Sequence, residues 1–454
     1  MGVPAYAIAR AAGSLSRRLG RGGGTSLPGQ LLLRWRPRAI QEMAAAMAEG
    51  SAVVSATNGK TTTARLLAGC LRADGRRLVT NQSGANLLSG VATALLADRG
   101  SGDLGFFEVD EAALPAVVAQ LEPRVVLLMN LFRDQLDRYG ELEELATRWR
   151  DMLATIAPGT VVLLNADDPG VAGLGDAFPG ATYFGIDDPS PALPGLPHAA
   201  DSKRCRRCDA PLAYDVVFLG HLGHWRCDSC GWSRPQPAVR AVHVGVDGLN
   251  GVDLTVKTPS GEVSARLPLP GLHNAYNAVA ATAAAVALGV AVDVIGPALE
   301  RSQAAFGRAE RITLDGRDAL LLLVKNPAGA NETIRTLLLD PDPVDLLVAL
   351  NDRTADGRDV SWIWDVDFEP LLGRLRHVTV TGDRAFDLAL RFRYAGLEPE
   401  RMDVVAELER AVDRAVAASP AGRPLYMLPT YTAMLDLRRI LVRRGAAEDF
   451  WRDR

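Results

Sequence analysis

The sequence predicts an α/β protein, because short strand-like apolar runs alternate with helical stretches along most of the chain. Two further observations refine this prediction. The length of 454 residues exceeds what one hydrophobic core usually supports, so two or three domains are expected. A turn rich in Gly, Lys and Thr follows the first buried strand, and two Cys pairs interrupt the alternation farther along. We therefore expect mainly parallel sheets, a nucleotide site and one metal-bearing insertion.

The composition is that of an ordinary soluble globular chain. It is 48% hydrophobic and 23% charged, which argues against wholesale disorder, collagen and a coiled coil. The net charge of -4 argues against a general nucleic-acid binder. No apolar run reaches the roughly 20 residues of a membrane-spanning helix, and we expect no cleavable signal peptide. Four of the five cysteines are paired by spacing, which favours a metal site in a reducing compartment over a disulfide framework.

Residues 1–48 are predicted to form a basic helical extension. Over residues 5–20, Ile8 and several alanines can share one face of a helix, with Arg10 and Arg17 around it. One interpretation is a helix docked on the main domain. The alternative is contact with an anionic membrane surface, because basic amphipathic helices bind such surfaces.

A central domain is expected over residues 49–308. Apolar runs predict its strands at 52–56, 104–109, 124–130, 160–165, 181–185, 239–245, 252–257 and 262–267. An Ala-rich helix is predicted over 274–288. The Pro- and Asp-rich stretch 187–204 is typical of a linker, and it leads into a cysteine insertion at about 202–234.

A second, Rossmann-like α/β domain is expected over residues 309–454. Its strands are predicted at 319–324, 345–350, 377–381 and 425–428. These runs are again separated by helical stretches, which indicates a mainly parallel sheet.

A phosphate-binding loop is predicted at Ser55–Thr63, which follows a strand and opens a helix. In such a loop the backbone N–H groups and the helix N-terminus face the phosphates. Lys60 can reach the β- and γ-phosphates, and Thr61 can place its hydroxyl on Mg²⁺. The full pattern requires Gly where Val54 stands, so this loop is a variant form. The predicted nucleotide-binding residues are Thr57, Asn58, Gly59, Lys60, Thr61 and Thr62.

A metal-binding carboxylate is predicted at Glu108, which ends the strand 104–109. A carboxylate at the carboxyl edge of a strand beside a phosphate loop can hold Mg²⁺ directly or through water. Asp110 and Glu111 follow closely, and helix N-capping is the alternative role for these two residues.

A four-thiolate zinc ribbon is predicted from two C-x-x-C pairs that are separated by 18 residues. Its ligands are expected to be Cys205, Cys208, Cys227 and Cys230. Four protein ligands leave no open coordination position, so the zinc is expected to be structural. The insertion is short, which favours a stabilising or docking role over nucleic-acid binding. Cys70 lies in the helix after the phosphate loop and is expected in the core.

Three segments resemble the Mur ligases, which form amide bonds through acyl phosphates. They are Thr57–Thr62, Asn165–Asp168 and Gly271–Asn277. Those ligases usually carry Gly where Ala56 stands. The resemblance implies a Mur ligase-like central P-loop ATPase domain, and it implies that Asn277 lies near the adenine of ATP.

A further set of features resembles one family of ligase-like proteins, the MurT subunits of lipid II isoglutaminyl synthases. These features are Gly22–Gly29, Asn130–Arg138, the cysteine insertion, Lys325–Gly329 and Asn351–Asp365. The resemblance covers nearly the whole chain, and its specific parts are the zinc ribbon and the C-terminal segment.

The family resemblance implies a reaction, cofactors and partners. ATP would activate the α-carboxylate of D-glutamate in the stem peptide of lipid II, and ammonia would convert it into D-isoglutamine. The ammonia would come from a GatD-like glutaminase subunit in a heterodimer. The implied cofactors are ATP, Mg²⁺ and structural Zn²⁺, with no nucleic-acid partner. The implied location is cytoplasmic, peripheral to the inner face of the plasma membrane.

Two absences in the sequence agree with this resemblance. Cys70 is the one cysteine outside the zinc pairs and is expected to be buried, so a Cys–His glutaminase must be on another chain. Many Mur ligases carry a carbamylated lysine where Arg148–Arg150 stand here, and no lysine lies between positions 61 and 202. A second metal ion held by such a lysine is therefore not expected.

In the family, one C-terminal aspartate is thought to complete the Cys–His pair of the partner as a triad, and the matching position is Asp359. The sequence alone does not separate Asp359 from Asp352, Asp356 and Asp365. For each of them, turn-capping or an ion pair with a nearby arginine is the alternative. Nearby aromatic residues, Trp362 and Trp364, suit a partner surface.

Two other functions compete with this interpretation. A stand-alone Mur or folylpolyglutamate-type ligase would add a free amino acid and would be active without a partner. A non-catalytic zinc-ribbon scaffold or nucleic-acid factor would bind ATP without carboxylate-dependent turnover, and its nucleic-acid form would show salt-sensitive binding.

Overall fold

The computed structural model describes residues 3–18, 26–81, 84–98, 100–133, 142–197, 200–302, 308–340, 342–420 and 422–447. The Gly-rich part of the segment Gly22–Gly29, up to residue 25, and residues 134–138 of the segment Asn130–Arg138 lie outside this set. No helix in the described part of the chain combines the length and the apolar character needed to cross a bilayer.

Three helices precede the first strand. They are α1 (Val3–Arg18), α2 (Leu27–Trp35) and α3 (Ala39–Ala44). Pro28 lies in the first turn of α2, where its missing N–H costs nothing. Ala9 and Leu32 are fully buried between α1 and α2, together with Ala39 at the start of α3. These small contacts dock the predicted basic helix on its neighbours.

A large sheet forms the centre of the molecule. Its strands are β1 (Ser51–Ser55), β2 (Leu78–Thr80), β3 (Leu104–Glu108), β4 (Val125–Leu128), β5 (Val161–Asn165), β6 (Thr182–Ile186), β9 (Val239–Asp247), β10 (Gly251–Thr258) and β11 (Gly261–Leu267). Among the described residues these nine strands run in the order β11-β10-β9-β6-β5-β4-β1-β3-β2. Pairing is parallel from β2 through β9 and antiparallel from β9 to β11.

Helices cover both faces of this sheet, as expected for a mainly parallel sheet. Their bounds are α4 (Lys60–Ala73), α5 (Leu88–Asp98), α6 (Leu114–Leu121), α7 (Leu142–Ala154), α8 (Pro169–Ala172), α9 (Leu272–Ala287) and α10 (Val292–Glu300). One core packs α4, α9 and α10 on one face, and a second core packs α5, α6 and α7 on the other. The Ala-rich α9 is buried almost all round, which its small side chains permit.

The cysteine insertion carries a separate two-stranded hairpin, β7 (Ala213–Leu219) and β8 (Leu222–Arg226). Its strands pair antiparallel with irregular register. The hairpin was not predicted, because its residues do not alternate cleanly between apolar and polar.

A six-stranded sheet follows within the described part of the chain, in the order β12-β13-β17-β14-β15-β16. Its strands are β12 (Arg308–Leu314), β13 (Arg317–Leu322), β14 (Val344–Ala349), β15 (Leu375–Thr381), β16 (Met402–Val404) and β17 (Leu425–Pro429). Its helices are α11 (Pro327–Leu338), α12 (Ala385–Ala395), α13 (Leu408–Ala418) and α14 (Tyr431–Arg443). All pairs are parallel except β12 with β13.

The structure confirms the predicted α/β fold class. Every strand that an apolar run predicted is present, with ends shifted by two residues or fewer. Two of the strands that were not predicted, β2 and β16, have three residues each, too few to show a pattern. The strand β12 was not predicted either, because three of its first four residues are charged.

Candidate active site

The phosphate loop lies beyond the carboxyl end of β1, where α4 begins at Lys60. Gly59 precedes the helix with φ 87°, a left-handed conformation that favours glycine. A Cβ at this position would lie 2.1 Å from Asn277 Oδ1, so a side chain would also clash with α9. The loop therefore presents backbone N–H groups at a helix N-terminus, the arrangement that binds phosphate.

Asn130, just after the neighbouring strand β4, holds this loop in shape. Its Oδ1 accepts a hydrogen bond from Asn58 N at 2.9 Å, and its Nδ2 donates to Asn58 O at 3.0 Å. Thr57 is tied to the same segment, because its Oγ1 accepts from Phe132 N at 3.0 Å. Sequence reasoning assigned no role to Asn130, although it begins one of the motif segments.

Lys60 forms a buried ion pair with Glu111. Its Nζ lies 2.7 Å from Glu111 Oε2, and each side chain is 9% exposed. Burial alone would lower the pKa of Lys60, but the Glu111 carboxylate outweighs burial and raises it. Burial likewise opposes ionisation of Glu111, but Lys60 and Lys325 lower its pKa. Glu111 is therefore a charge partner of the loop lysine, a role that its sequence position did not reveal.

Glu108 lies at the end of β3 and faces the first turn of α4. Thr61 Oγ1 donates a hydrogen bond to Glu108 Oε1 at 2.9 Å. The backbone of Glu108 is fixed by the side chain of Asn81, which accepts from Glu108 N at 3.0 Å and donates to Glu108 O at 2.7 Å. A hydroxyl and a carboxylate oxygen are ligands that Mg²⁺ accepts, so this pair fits the predicted magnesium site.

The structure brings the other predicted nucleotide-binding residues to the same place. Asn277 on α9 lies over the loop, and its Oδ1 accepts a hydrogen bond from Thr63 Oγ1 at 3.3 Å. Its Nδ2 donates to Asn274 Oδ1 at 2.9 Å. Thr62 is buried in the first turn of α4. The loop, Glu108 and Asn277 thus form one continuous site.

The C-terminal sheet domain reaches this site through the start of α11. Asn326 Nδ2 donates to Asn58 Oδ1 at 3.0 Å, while its Oδ1 caps α11 by accepting from Gly329 N at 2.9 Å. Farther along α11, the buried Glu332 accepts a hydrogen bond from Leu272 N at 3.0 Å, at the start of α9. The neighbouring domain therefore contacts both the phosphate loop and the helix that carries Asn277.

The four cysteines converge as a candidate metal site. Cys205 Sγ lies 3.6 Å from Cys230 Sγ, and Cys208 Sγ lies 3.4 Å from Cys227 Sγ. All four sulfur atoms lie within 4.8 Å of one another. Zn–S bonds of about 2.3 Å in a tetrahedron place sulfurs about 3.8 Å apart, so the donor set and its spacing fit zinc. Trp225 and Trp232 pack beside the cluster with ring centroids 4.4 Å apart.

The tip of the cysteine insertion contacts the segment that holds the phosphate loop. His221, between β7 and β8, is fully buried with its ring centroid 4.6 Å from that of Phe132. Its Nε2 lies 3.3 Å from Asp168 Oδ2, which also accepts from Leu131 N at 2.9 Å. Phe132 in turn holds Thr57. The insertion therefore packs against the segment that holds the phosphate loop, and no sequence motif marked His221.

Asp359 lies in the segment that follows β14. It is exposed, and its carboxylate accepts a hydrogen bond from Ser361 N at 2.8 Å, which lowers its pKa. The three alternative aspartates have partners from elsewhere in the chain: Asp352 pairs with Arg384, Asp356 with Thr432 and Asp365 with Arg133. Asp359 therefore differs from the buried Asp356 in being exposed. It differs from all three alternatives in that its hydrogen bond comes from a neighbour in sequence, Ser361.

Cys70 is fully buried, and burial raises the pKa of its thiol to about 12. The expectation that it is a core residue agrees with this environment, because a buried neutral thiol is a poor nucleophile.

The sequence is similar to known proteins over nearly its whole length. A model of the Mur ligase middle domain matches residues 54–193, and a model of the MurT ligase C-terminal region matches residues 323–434. Two curated relatives are named lipid II isoglutaminyl synthase (glutamine-hydrolyzing) subunit MurT. The Streptococcus pneumoniae protein is 33% identical over 437 residues, and the Staphylococcus aureus protein is 30% identical over 431 residues. Each alignment covers 94% of both chains.

Solved structures share the fold at lower identity. A pseudomurein peptide ligase type C from Methanothermus fervidus has a TM-score of 0.67 and 22% identity, covering 87% of this chain and 78% of that chain. The Mycobacterium tuberculosis folylpolyglutamate synthase complexed with ADP has a TM-score of 0.64 and 17% identity, covering 97% of this chain and 100% of that chain. Because the two MurT relatives align with nearly the whole chain and both family models match it, the chain belongs to the MurT family.

Proposed function

We propose that this protein is the synthetase subunit of a glutamine-hydrolysing lipid II isoglutaminyl synthase in peptidoglycan biosynthesis. It would amidate the α-carboxylate of the D-glutamate of lipid II to D-isoglutamine at the expense of ATP. The observation that carries the proposal is the site formed by Lys60, Thr61 and Glu108 at the phosphate loop. The chain that holds this site belongs to the MurT family.

The proposed reaction has two steps. A carboxylate oxygen of the substrate attacks the γ-phosphorus of ATP, and the bond from this phosphorus to the β-phosphate oxygen breaks. ADP is released, and the substrate becomes an acyl phosphate. Ammonia then attacks the acyl carbon, loses a proton, and displaces inorganic phosphate with one former carboxylate oxygen. Phosphoryl transfer of this kind depends mainly on positioning and on neutralising charge.

The residues of the chain have distinct proposed roles in these steps. The ammonium of Lys60 and the N–H groups at the start of α4 bind the phosphates. Thr61 and Glu108 would hold Mg²⁺, which neutralises phosphate charge when bound. Asn277 packs against Gly59 and would border the adenine. Asn326 would couple movement of the C-terminal domain to the phosphate loop through its hydrogen bond with Asn58.

Ammonia is proposed to come from a GatD-like glutaminase subunit. Cys70 is buried and the other four cysteines are clustered, so this chain offers no nucleophilic cysteine for glutamine hydrolysis. Asp359 is exposed and ionised, as required of a carboxylate that orients a partner's histidine.

An apolar surface that includes Trp364, five positions after Asp359 in the chain, supports this docking. Trp364, Phe386, Leu390 and Tyr394 are between 47% and 75% exposed, and the Trp364 and Tyr394 rings lie 5.4 Å apart. We name these four residues the aromatic patch. Exposed clusters of large apolar side chains mark protein interfaces. The aromatic patch is therefore the proposed contact of the glutaminase.

The zinc ribbon is proposed to be structural. All four ligands come from the chain, so no coordination position is open for a substrate. The lipid-linked substrate further implies that the protein works in the cytoplasm, peripheral to the inner face of the plasma membrane. A stand-alone amino-acid ligase is the second candidate, and the fold shared with folylpolyglutamate synthase is what favours it.

The proposal is tested by amidation of lipid II with the purified chain, followed by mass spectrometry. One reaction contains ATP and ammonium, and another contains ATP, glutamine and a candidate glutaminase subunit. We expect the acid-to-amide mass change in both, and no change with glutamine when the subunit is omitted. The Lys60→Ala variant is the control for ATP dependence. Ligation of a free amino acid without a partner would instead support the second candidate.

A further inference from the structure

The N-terminal part of the chain has a charge opposite to that of the remainder. Residues 1–48 contain seven arginines and one glutamate, a net charge of +6, whereas the whole chain carries -4 and the remainder therefore -10. An acidic body is repelled by an anionic surface, so a concentrated basic segment is needed wherever such a surface is bound.

Large apolar side chains are exposed in the same part of the molecule. Ile8, Leu27, Trp35 and Leu87 are between 43% and 50% exposed. They lie on three neighbouring helices or at their ends: α1, α2 and the start of α5. Trp is enriched at membrane interfaces, where its ring lies at the level of the headgroups.

A groove lies between α2 and α5 in this region. Its lining includes Leu27, Leu31 and Arg34 from one face of α2, and Leu87 and Leu88 from the start of α5. Its volume is about 560 Å³. The helices approach closely because α2 carries Gly29, where a Cβ would lie 1.9 Å from the backbone oxygen of Ser89. The groove is thus apolar, open and bordered by a cation.

We propose that this surface, formed by α1, α2 and the start of α5 and here named the N-terminal face, binds an anionic phospholipid bilayer. The exposed Arg34 and Arg38 would contact lipid phosphates, and Leu27 and Trp35 would enter the boundary between headgroups and acyl chains. Charge complementarity favours this occupant over a protein, because residues 1–48 carry a net charge of +6 and their described part exposes Arg34 and Arg38.

The location suits a lipid-linked substrate, and to that extent the inference rests on the proposed function. Asn81, which fixes the backbone of Glu108, directly follows β2. Leu87 and Leu88 stand a few residues later, at the start of α5. Asn81 Nδ2 also donates to Ala85 O at 2.8 Å, so the residue that fixes Glu108 contacts the segment just before the N-terminal face.

The test is sedimentation of the full chain with vesicles of phosphatidylcholine alone or of phosphatidylcholine mixed with phosphatidylglycerol. Binding is expected to the mixed vesicles only. Arg34→Gln combined with Arg38→Gln changes two exposed arginines, one on α2 and one just before α3. This pair is expected to weaken binding roughly 30-fold, from about 1 kcal/mol per arginine near an anionic membrane. Leu27→Ser combined with Trp35→Ser is expected to weaken it as well. The control Arg410→Gln changes an exposed arginine of the C-terminal domain and is expected to bind as the unaltered chain does.

Equal binding of the arginine pair variant and the control would overturn the inference, as would no binding of the unaltered chain to mixed vesicles. Thermal unfolding and ATP binding of each variant show whether it is folded. A soluble short-chain analogue of lipid II separates this inference from the proposed function. Variants of the N-terminal face should amidate that analogue normally, whereas failure of the unaltered chain to amidate it would count against the proposed function alone.

Discussion

Lys60 Nζ lies 2.7 Å from Glu111 Oε2 in an environment where both side chains are almost completely buried. The lysine of the phosphate loop is thus held by a carboxylate that lies 51 positions farther along the chain. The Glu111 carboxylate and a triphosphate are both anionic partners for this one ammonium. Binding of ATP should therefore compete with the ion pair.

Glu111→Gln should make the protein less stable but better at binding ATP. The substitution leaves Lys60 buried without its charge partner, which should lower the free energy of unfolding by roughly 3–5 kcal/mol. ATP no longer has to displace a carboxylate, so its dissociation constant should fall. Denaturant unfolding and isothermal titration calorimetry measure the two quantities. Glu144→Gln, in an exposed pair with Arg148, is the control that should change neither; unaltered ATP affinity in Glu111→Gln would refute the competition.

Cys208→Ser should remove zinc and weaken ATP binding together. Cys208 is exposed, so the substitution disturbs little packing beyond the metal site. Without zinc the hairpin that carries His221 should loosen, and Phe132 should no longer hold Thr57 firmly. Metal analysis and nucleotide titration check this. Cys70→Ala should keep its zinc, and ATP affinity that survives the loss of zinc would show that the insertion does not support the loop.

Glu332 should make stability depend on pH. Burial raises the pKa of Glu332 from 4.5 to about 7, against the lowering effect of Arg335. The folded protein then binds its proton more tightly than the unfolded chain. The contribution of this tighter proton binding to the free energy of unfolding is complete below pH 4.5, and it is lost as the pH rises through about 7. It amounts to roughly 3 kcal/mol.

Glu332→Gln should therefore remove this pH dependence and stabilise the protein most at pH values above 7. Its amide oxygen can still accept the hydrogen bond from Leu272 N. Urea unfolding at a series of pH values measures the effect, with the exposed Glu398→Gln as the control. A variant that follows the pH curve of the unaltered protein would show that Glu332 is not the group that titrates.

Asp359→Asn should abolish amidation with glutamine while leaving amidation with ammonium intact. The amide cannot stabilise an imidazolium on the partner subunit, whereas the phosphate loop is untouched. Both rates are measured in the presence of the glutaminase subunit. Asp352→Asn, which removes one of two carboxylate partners of Arg384, should affect both rates equally or neither. Equal loss of both activities in Asp359→Asn would indicate a structural role.

Most of the fold follows from the sequence because parallel strands that are buried on both faces are continuous apolar runs. Ala52–Val54 and Val125–Leu128 are such runs, and the structure places them side by side. The hairpin β7–β8 lacks this signal because it is anchored by the cluster of four cysteines and by His221 rather than by a sheet.

The candidate site was predictable where local chemistry determines it. Gly59, Lys60 and Thr61 follow one strand in a fixed order, so their proximity needs no tertiary information. Glu111 and Asn130 meet the loop only because β3 and β4 flank β1. The sequence does not give the order of strands in the sheet, so it does not show that these residues lie near the loop. A glutamate or an asparagine after a strand is also too common to indicate such a contact.

Transfer of oxygen from the substrate to phosphate tests the central claim most directly. Lipid II carrying ¹⁸O in both oxygens of the D-glutamate α-carboxylate is incubated with the protein, ATP and ammonium, and the inorganic phosphate is analysed by mass spectrometry. Activation as an acyl phosphate predicts one ¹⁸O in the phosphate for each amide formed. Amide formation with unlabelled phosphate would contradict it, and so would hydrolysis of ATP that proceeds equally without the lipid.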